Sequence, residues 1–167
     1  MQQNRRTFET RGPVDPERNY VVPRTAEIAD LVQRIKNGRY IVLSAPRQTG
    51  KTTFFRWALS ALVASDDNYF PIQLNFSTFS RASVSVLITQ LQRRLSKAIR
   101  REWGRRGATI EVELEQFLSH YPLKDHYSFQ QLMEELAAHL EYRRVAIIID
   151  EFDGIPQAAL NDFLQTL

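Results

Sequence analysis

The chain has 167 residues, 43% apolar and 25% charged, with 22 basic and 19 acidic side chains that leave a net charge of +3. This composition suits one globular domain with a core of its own, and the charge is too small to demand a polyanionic partner. Cysteine is absent, which excludes disulfides, thiolate chemistry and cysteine metal sites; no apolar run approaches the ~20 residues that cross a bilayer, and no apolar region follows Met1-Gln2-Gln3-Asn4-Arg5-Arg6, so a secretory signal is not indicated and a cytoplasmic protein is expected.

In chain order, residues 1–19 are polar, contain Pro13 and Pro16, and are expected to form a flexible tail. A folded domain is expected over 20–167. Residues 24–37 predict a helix with Ile28, Leu31, Val32 and Ile35 on one face, stopped by Asn37-Gly38. The apolar run Tyr40-Ile41-Val42-Leu43 predicts a first strand over 39–44. A loop follows, then a helix to about Ala64 and a turn at Asp66-Asp67-Asn68. A strand over 69–76 alternates Ile72, Leu74 and Phe76 with Gln73 and Asn75. A long helix over about 82–103 carries Val84, Leu87, Ile88, Leu91, Leu95 and Ile99 at helical spacing. A shorter helix near 111–120 ends at Tyr121-Pro122. Ser128-Phe129-Gln130-Gln131 reads as a capping box, opening a helix that turns Phe129, Leu132, Met133, Leu136 and Leu140 inward. A strand over 144–149 and a last helix from Pro156 complete the pattern. The β-α-β-α-β order predicts an α/β fold: three α-β-α layers around a parallel sheet with right-handed crossovers.

The loop between the first strand and its helix carries the chemistry. Ala45-Pro46-Arg47-Gln48-Thr49-Gly50-Lys51-Thr52 has the order of a phosphate-binding loop. Such a loop turns its N–H groups around a phosphate, and the helix start adds further donors and a positive dipole end. Lys51 is placed to reach the β- and γ-phosphates, and the Thr52 hydroxyl to ligate Mg²⁺. Residues 45–53, Thr53 included, are the candidate nucleotide-binding set. The alternative is an ordinary helix start capped by threonine. Ala45 stands where this loop normally begins with glycine. If that position needs positive φ, alanine costs roughly 1–2 kcal/mol; if it needs only a small residue, alanine costs nothing.

A second segment, Val145-Ala146-Ile147-Ile148-Ile149-Asp150-Glu151, is an unbroken apolar run ending in two carboxylates. Such a run suits a strand covered on both faces. Ligands of open α/β sheets lie beyond the carboxyl ends of strands, so the loop and these acids are expected on the same rim. Asp150 is then a direct or outer ligand of Mg²⁺ opposite Thr52. Glu151 orients and polarises the water that attacks the γ-phosphate. Alone, an Asp-Glu pair after a strand is as readily a solvated strand end, and Asp153 reads as a loop or cap acid.

Together these segments resemble the Walker A and Walker B motifs of AAA+ and STAND-type ATPases. The stretch Tyr20-Val21-Val22-Pro23-Arg24-Thr25-Ala26-Glu27-Ile28 is similar to the N-terminal box of such domains, where an Arg and a Glu open a helix that covers the adenine. The resemblance implies a P-loop NTPase fold, ATP and Mg²⁺ as ligands, and Lys51 and Glu151 as catalytic residues. It also implies that Asn75 or Gln73, on the second strand, is placed to hold Glu151 off the water; a plain strand-end role is the alternative. A Glu beside the Asp marks the class in which a further strand separates the two motif strands. None remains after 144–149, so the chain is expected to be the N-terminal piece of a longer protein, truncated before sensor strand, arginine finger and lid.

Three functions fit: an ATPase that drives or times a conformational change in a larger signalling or remodelling protein, a non-hydrolysing nucleotide switch, and a small-molecule kinase. The kinase lacks an arginine-rich lid, and GTP specificity lacks an Asn-Lys-x-Asp motif. Other domains of a longer chain are the expected partners, with a homo-oligomer possible in principle and no membrane. Arg93, Arg94, Lys97, Arg100, Arg101, Arg105 and Arg106 crowd one helix and its exit. They suit a phosphate backbone or a solvated helix face, and only Trp103 interleaves them for stacking. His120, His126 and His139 show no metal spacing.

Overall fold

The computed structural model describes residues 7–8, 14–15, 17–46, 48–78, 83–141 and 143–155. Arg47 and the helix predicted from Pro156 lie outside them. The chain divides into two compact units, Met1–Asp67 and Asn68–Leu167.

In the first unit, α1 spans Thr25–Lys36 and α2 spans Lys51–Ser65. The predicted stop of α1 is used: the Asn37 N–H donates to the Gln33 carbonyl, and Gly38 at φ 66 donates to Ile35 at 2.9 Å. Gly38 supplies the left-handed residue that ends a helix without a Cβ penalty. The two helices pack together, α1 burying Leu31 and α2 burying Phe54, Phe55, Ala58, Leu59 and Leu62. Within the stretch 1–19 the described residues hold a turn around Asp15: its carbonyl accepts from the Asn19 N–H at 2.8 Å, and its carboxylate accepts from the Glu17 N–H at 3.0 Å.

The first predicted strand does not form. Residues 39–46 run without regular structure, with Tyr40 85% and Val42 96% exposed. Apolar β-formers are not sufficient for a strand, because its N–H and C=O groups need a ladder partner. Among the described residues, the only sheet ladder joins two other segments.

Those segments belong to the second unit. There β1 (Tyr69–Asn75), α3 (Val84–Arg105), α4 (Val112–His120), α5 (His126–His139) and β2 (Arg144–Asp150) are followed by a single 3₁₀ turn at Phe152–Gly154. β1 and β2 are parallel, in register from Tyr69↔Arg144 to Asn75↔Asp150. Phe70, Ile72 and Leu74 of β1 join Leu91, Leu95 and Ile99 of α3, Leu114 and Leu118 of α4, Leu132 and Leu136 of α5, and Leu140 at its C-cap in one buried core. Each such aliphatic side chain, fully buried, contributes about 1.5–3 kcal/mol, so this cluster dominates the unit's stability. β1 is buried along nearly its whole length, with Gln73 half-buried and only Asn75 exposed among its residues. β2, predicted to be covered on both faces, keeps Ile147, Ile148 and Ile149 only half-buried.

The end bonds of the ladder, Arg144 N–H to the Asn68 carbonyl and Phe76 N–H to the Asp150 carbonyl, fix the alternation. Residues 69, 71, 73 and 75 therefore aim their backbone groups away from β2. On that outer side Pro71 has no N–H to offer, Arg106 donates to the Tyr69 carbonyl, and Arg94 donates to the Asn75 carbonyl. Among the described residues β1 is thus an edge strand with two of its outward carbonyls covered, of the kind that tolerates proline.

The capping box of α5 is displaced from the predicted one. Asp125 is the N-cap, its carboxylate accepting from the Ser128 N–H at 2.9 Å, while the Ser128 hydroxyl sits against the Asp125 N–H, also at 2.9 Å. Ser128 is thus the third residue of the helix, not its cap. Between α3 and α4, Arg100 grips Glu115 through both carboxylate oxygens at 2.6–3.1 Å. The hydrogen bonds and charge of Arg100 hold the Glu115 carboxyl below the usual range, and the same pair raises the Arg100 guanidinium.

Candidate functional site

The candidate residues fall into two groups, one in each compact unit, and each group is described on its own. The first is the loop 45–52 with the start of α2. Its left-handed residues are Gln48 at φ 63 and Gly50 at φ 80; Ala45 is not among them. The first position therefore does not take positive φ here, and Ala45 carries no left-handed strain. Gln48, a residue with a Cβ, bears it instead at roughly 1–2 kcal/mol. The Phe54 N–H donates to the Gly50 carbonyl at 2.9 Å, the first bond of the α2 ladder. The helix thus presents its N-terminal donors and positive dipole end at Gly50–Lys51.

Side chains hold the loop across its width. The Lys51 ammonium donates to the carbonyls of Ala45 (2.9 Å) and Pro46 (3.1 Å), and the Thr49 hydroxyl donates to Pro46 at 2.9 Å. Arg24, itself left-handed at φ 41 just before α1, donates to the Thr49 carbonyl at 3.0 Å. Thr53 is turned inward: its hydroxyl is buried and accepts from the Val14 N–H at 3.2 Å. Arg47 lies outside the described residues.

The second group is the carboxyl rim of the parallel pair. Asp150 is 2% exposed, and one of its carboxylate oxygens accepts from the Glu151 N–H at 3.1 Å. Glu151 is left-handed (φ 57, ψ 47) and half-buried. That conformation costs a residue with a Cβ roughly 1–2 kcal/mol and marks a backbone that its surroundings over-determine. Asn75 is the register partner of Asp150. Its side-chain oxygen accepts from the Ser77 N–H at 3.0 Å and the Ser77 hydroxyl at 2.6 Å. Arg94 braces the same corner through the Asn75 carbonyl and, at 2.6 Å, the Thr78 hydroxyl.

Of the two polar candidates on β1, Asn75 stands at the rim and Gln73 lies one pleat back within the strand. Ser77, Arg94 and Gly154 were not read from the sequence as part of this corner. The only signal for Gly154 is a glycine soon after a strand end, and for Arg94 one arginine among many. The basic cluster is largely spent internally: Arg94, Arg100, Arg105 and Arg106 make intramolecular bonds or ion pairs. Arg93, Lys97 and Arg101 are exposed one helical turn apart. Trp103 is packed on Phe70 (centroids 5.6 Å apart), with its indole N–H on the Thr109 carbonyl. His120 binds the Gln116 carbonyl and His139 lies against Phe117. Among the described residues no trio of His, Asp and Glu could chelate a metal unaided, and no helix is long and apolar enough to cross a membrane.

A loop of phosphate-binding sequence running into a helix start in one unit, and in the other a parallel strand ending in a buried Asp and a left-handed Glu, are features of nucleotide-binding P-loop domains of α/β class. The model of the AAA domain family matches residues 33–167, most of the chain, and the chain belongs to that family. It has the P-loop NTPase fold and is an ATPase-like nucleotide-binding domain. Comparison with characterised proteins and with solved structures gives no match.

Proposed function

We propose that this domain binds ATP with Mg²⁺ and hydrolyses the terminal phosphate bond, and that turnover drives or times a conformational change in a larger signalling or remodelling protein. The observation that carries the reading is Asp150-Glu151: a buried carboxylate closing a parallel strand, followed by a carboxylate in a strained backbone. Solvated strand ends do not pay for burial or for left-handed glutamate. Membership of the AAA domain family supports the nucleotide.

Lys51 contributes the ammonium for the β- and γ-phosphate oxygens, and the N-terminal donors of α2 cradle them. Magnesium, when bound, spreads the charge developing on the phosphate oxygens. The Thr52 hydroxyl and the Asp150 carboxylate would hold it, both hard oxygen donors of the kind it selects. Glu151 accepts the proton of the attacking water. A P–O bond forms at the γ-phosphorus, the bond to the bridging oxygen breaks, and ADP and phosphate leave.

The test is phosphate release by the full-length protein against its Glu151→Gln variant. General-base groups contribute about 10²–10⁴-fold, so turnover should fall at least a hundredfold while calorimetric ATP affinity stays within a few-fold. Equal turnover in the variant removes Glu151 from the chemistry. Absence of turnover in the parent, with ATP binding intact, selects the non-hydrolysing switch.

A further inference from the structure

The turn after β2 is seated on the backbone that follows β1. A Cβ added at Gly154 would lie 2.7 Å from the Phe76 carbonyl carbon, closer still to its oxygen, and 3.3 Å from the Ser77 Cα. Gly154 is not in the left-handed region, so what it provides is close approach and not conformational freedom. The obstructing atoms are main chain, which cannot swing aside as a side chain can. The turn is fixed from its other side as well: Ile155 is buried and Phe152 packs on the same core. The Gly154 N–H donates to the Glu151 carbonyl at 2.9 Å and the Ile155 N–H to Phe152 at 3.1 Å.

The opposing backbone is itself braced. Phe76 N–H reaches the Asp150 carbonyl, Ser77 ties back to the Asn75 side chain twice, and Arg94 holds Asn75 and Thr78 from α3. We infer that Gly154 and Ser77 are positioning residues: the backbone-on-backbone seat between 154 and 76–77 holds Glu151 in its left-handed conformation and so sets where its carboxylate points. The seat explains why a strained glutamate persists at that corner. It also gives the Asn75–Ser77 turn a route to Glu151 through main chain, without a direct side-chain contact. The catalytic consequence rests on Glu151 being the base; the mechanical part does not.

Hydrogen exchange and steady-state kinetics on the full-length protein test the two parts separately. In Gly154→Ala, amides of 151–155 should exchange at least tenfold faster, with those of α3 and α5 unchanged. ATP affinity should be kept and kcat should fall about a hundredfold at unchanged KM, the scale of a displacement near 1 Å. Should that variant not fold, Ser77→Ala serves in its place: smaller losses of the same kind are expected, restored by Ser77→Thr. Unchanged exchange over 151–155 in whichever variant folds overturns the seat. Faster exchange with normal kcat, where Glu151→Gln is inactive, overturns its positioning role alone. An active Glu151→Gln protein instead refutes the base assignment and leaves the exchange result to judge the seat.

Discussion

At the scale of single residues, the two clusters use the same device, a left-handed residue beside a charged side chain. Gln48 and Gly50 flank the turn into Lys51, and Glu151 follows Asp150. In the loop the ammonium of Lys51 spans to the carbonyls of Ala45 and Pro46, which makes it a brace of the loop beside the phosphate role proposed for it. Lys51→Ala is therefore expected to abolish Mg-ATP binding measured by calorimetry; unchanged affinity would remove Lys51 from the phosphate site. Motif residues were legible in the sequence because each is an unusual type at a fixed spacing: Gly-Lys-Thr at a helix start, Asp-Glu after an apolar strand. Ser77 and Gly154 were not. Their roles arise only where two distant stretches of main chain meet, and neither composition nor periodicity records that meeting.

At the scale of elements, the helices were legible and the first strand was not. A helix satisfies its own backbone, so apolar periodicity and caps suffice to announce it. α1, α2, α3 and α4 begin and end within a few residues of their predicted limits. The start of α5 lies three residues earlier than the predicted cap: the Asp125 carboxylate accepts from the Ser128 N–H, and Ser128 answers from inside the helix. A strand depends on a partner, which is why Tyr40-Ile41-Val42-Leu43 remains outside the ladder despite its composition. The α3–α4 link makes a prediction about pH. Because Arg100 depresses the Glu115 carboxyl in the folded state, its stabilisation is present above the ordinary glutamate value of about 4.3 and is lost as pH falls through the depressed one. Glu115→Gln should accordingly lower the melting temperature at pH 7, and the gap to the parent protein should close under acid. A gap of constant size from pH 7 to pH 3 would contradict that assignment.

For the molecule as a whole, the α/β class and the parallel relation of the two strands were legible from the alternation of elements. The depth of burial of β1, and the half-burial of β2, depend on which elements cover them and could not be read from the strands themselves. Membership of the AAA domain family, over 33–167, agrees with the α/β reading. The outer edge of β1 carries a prediction of its own. Pro71→Val restores an outward N–H, and with Arg94→Ala the Asn75 carbonyl is uncovered too. The double variant should self-associate at concentrations where the parent stays dispersed, as exposed strand edges do; identical light scattering would argue against a guarding role. The same edge gives the sheet a direction of growth. One margin is blunted by an imino acid and two guanidinium groups, so a single ring that lacks a proton makes that side the poorer template for a further strand.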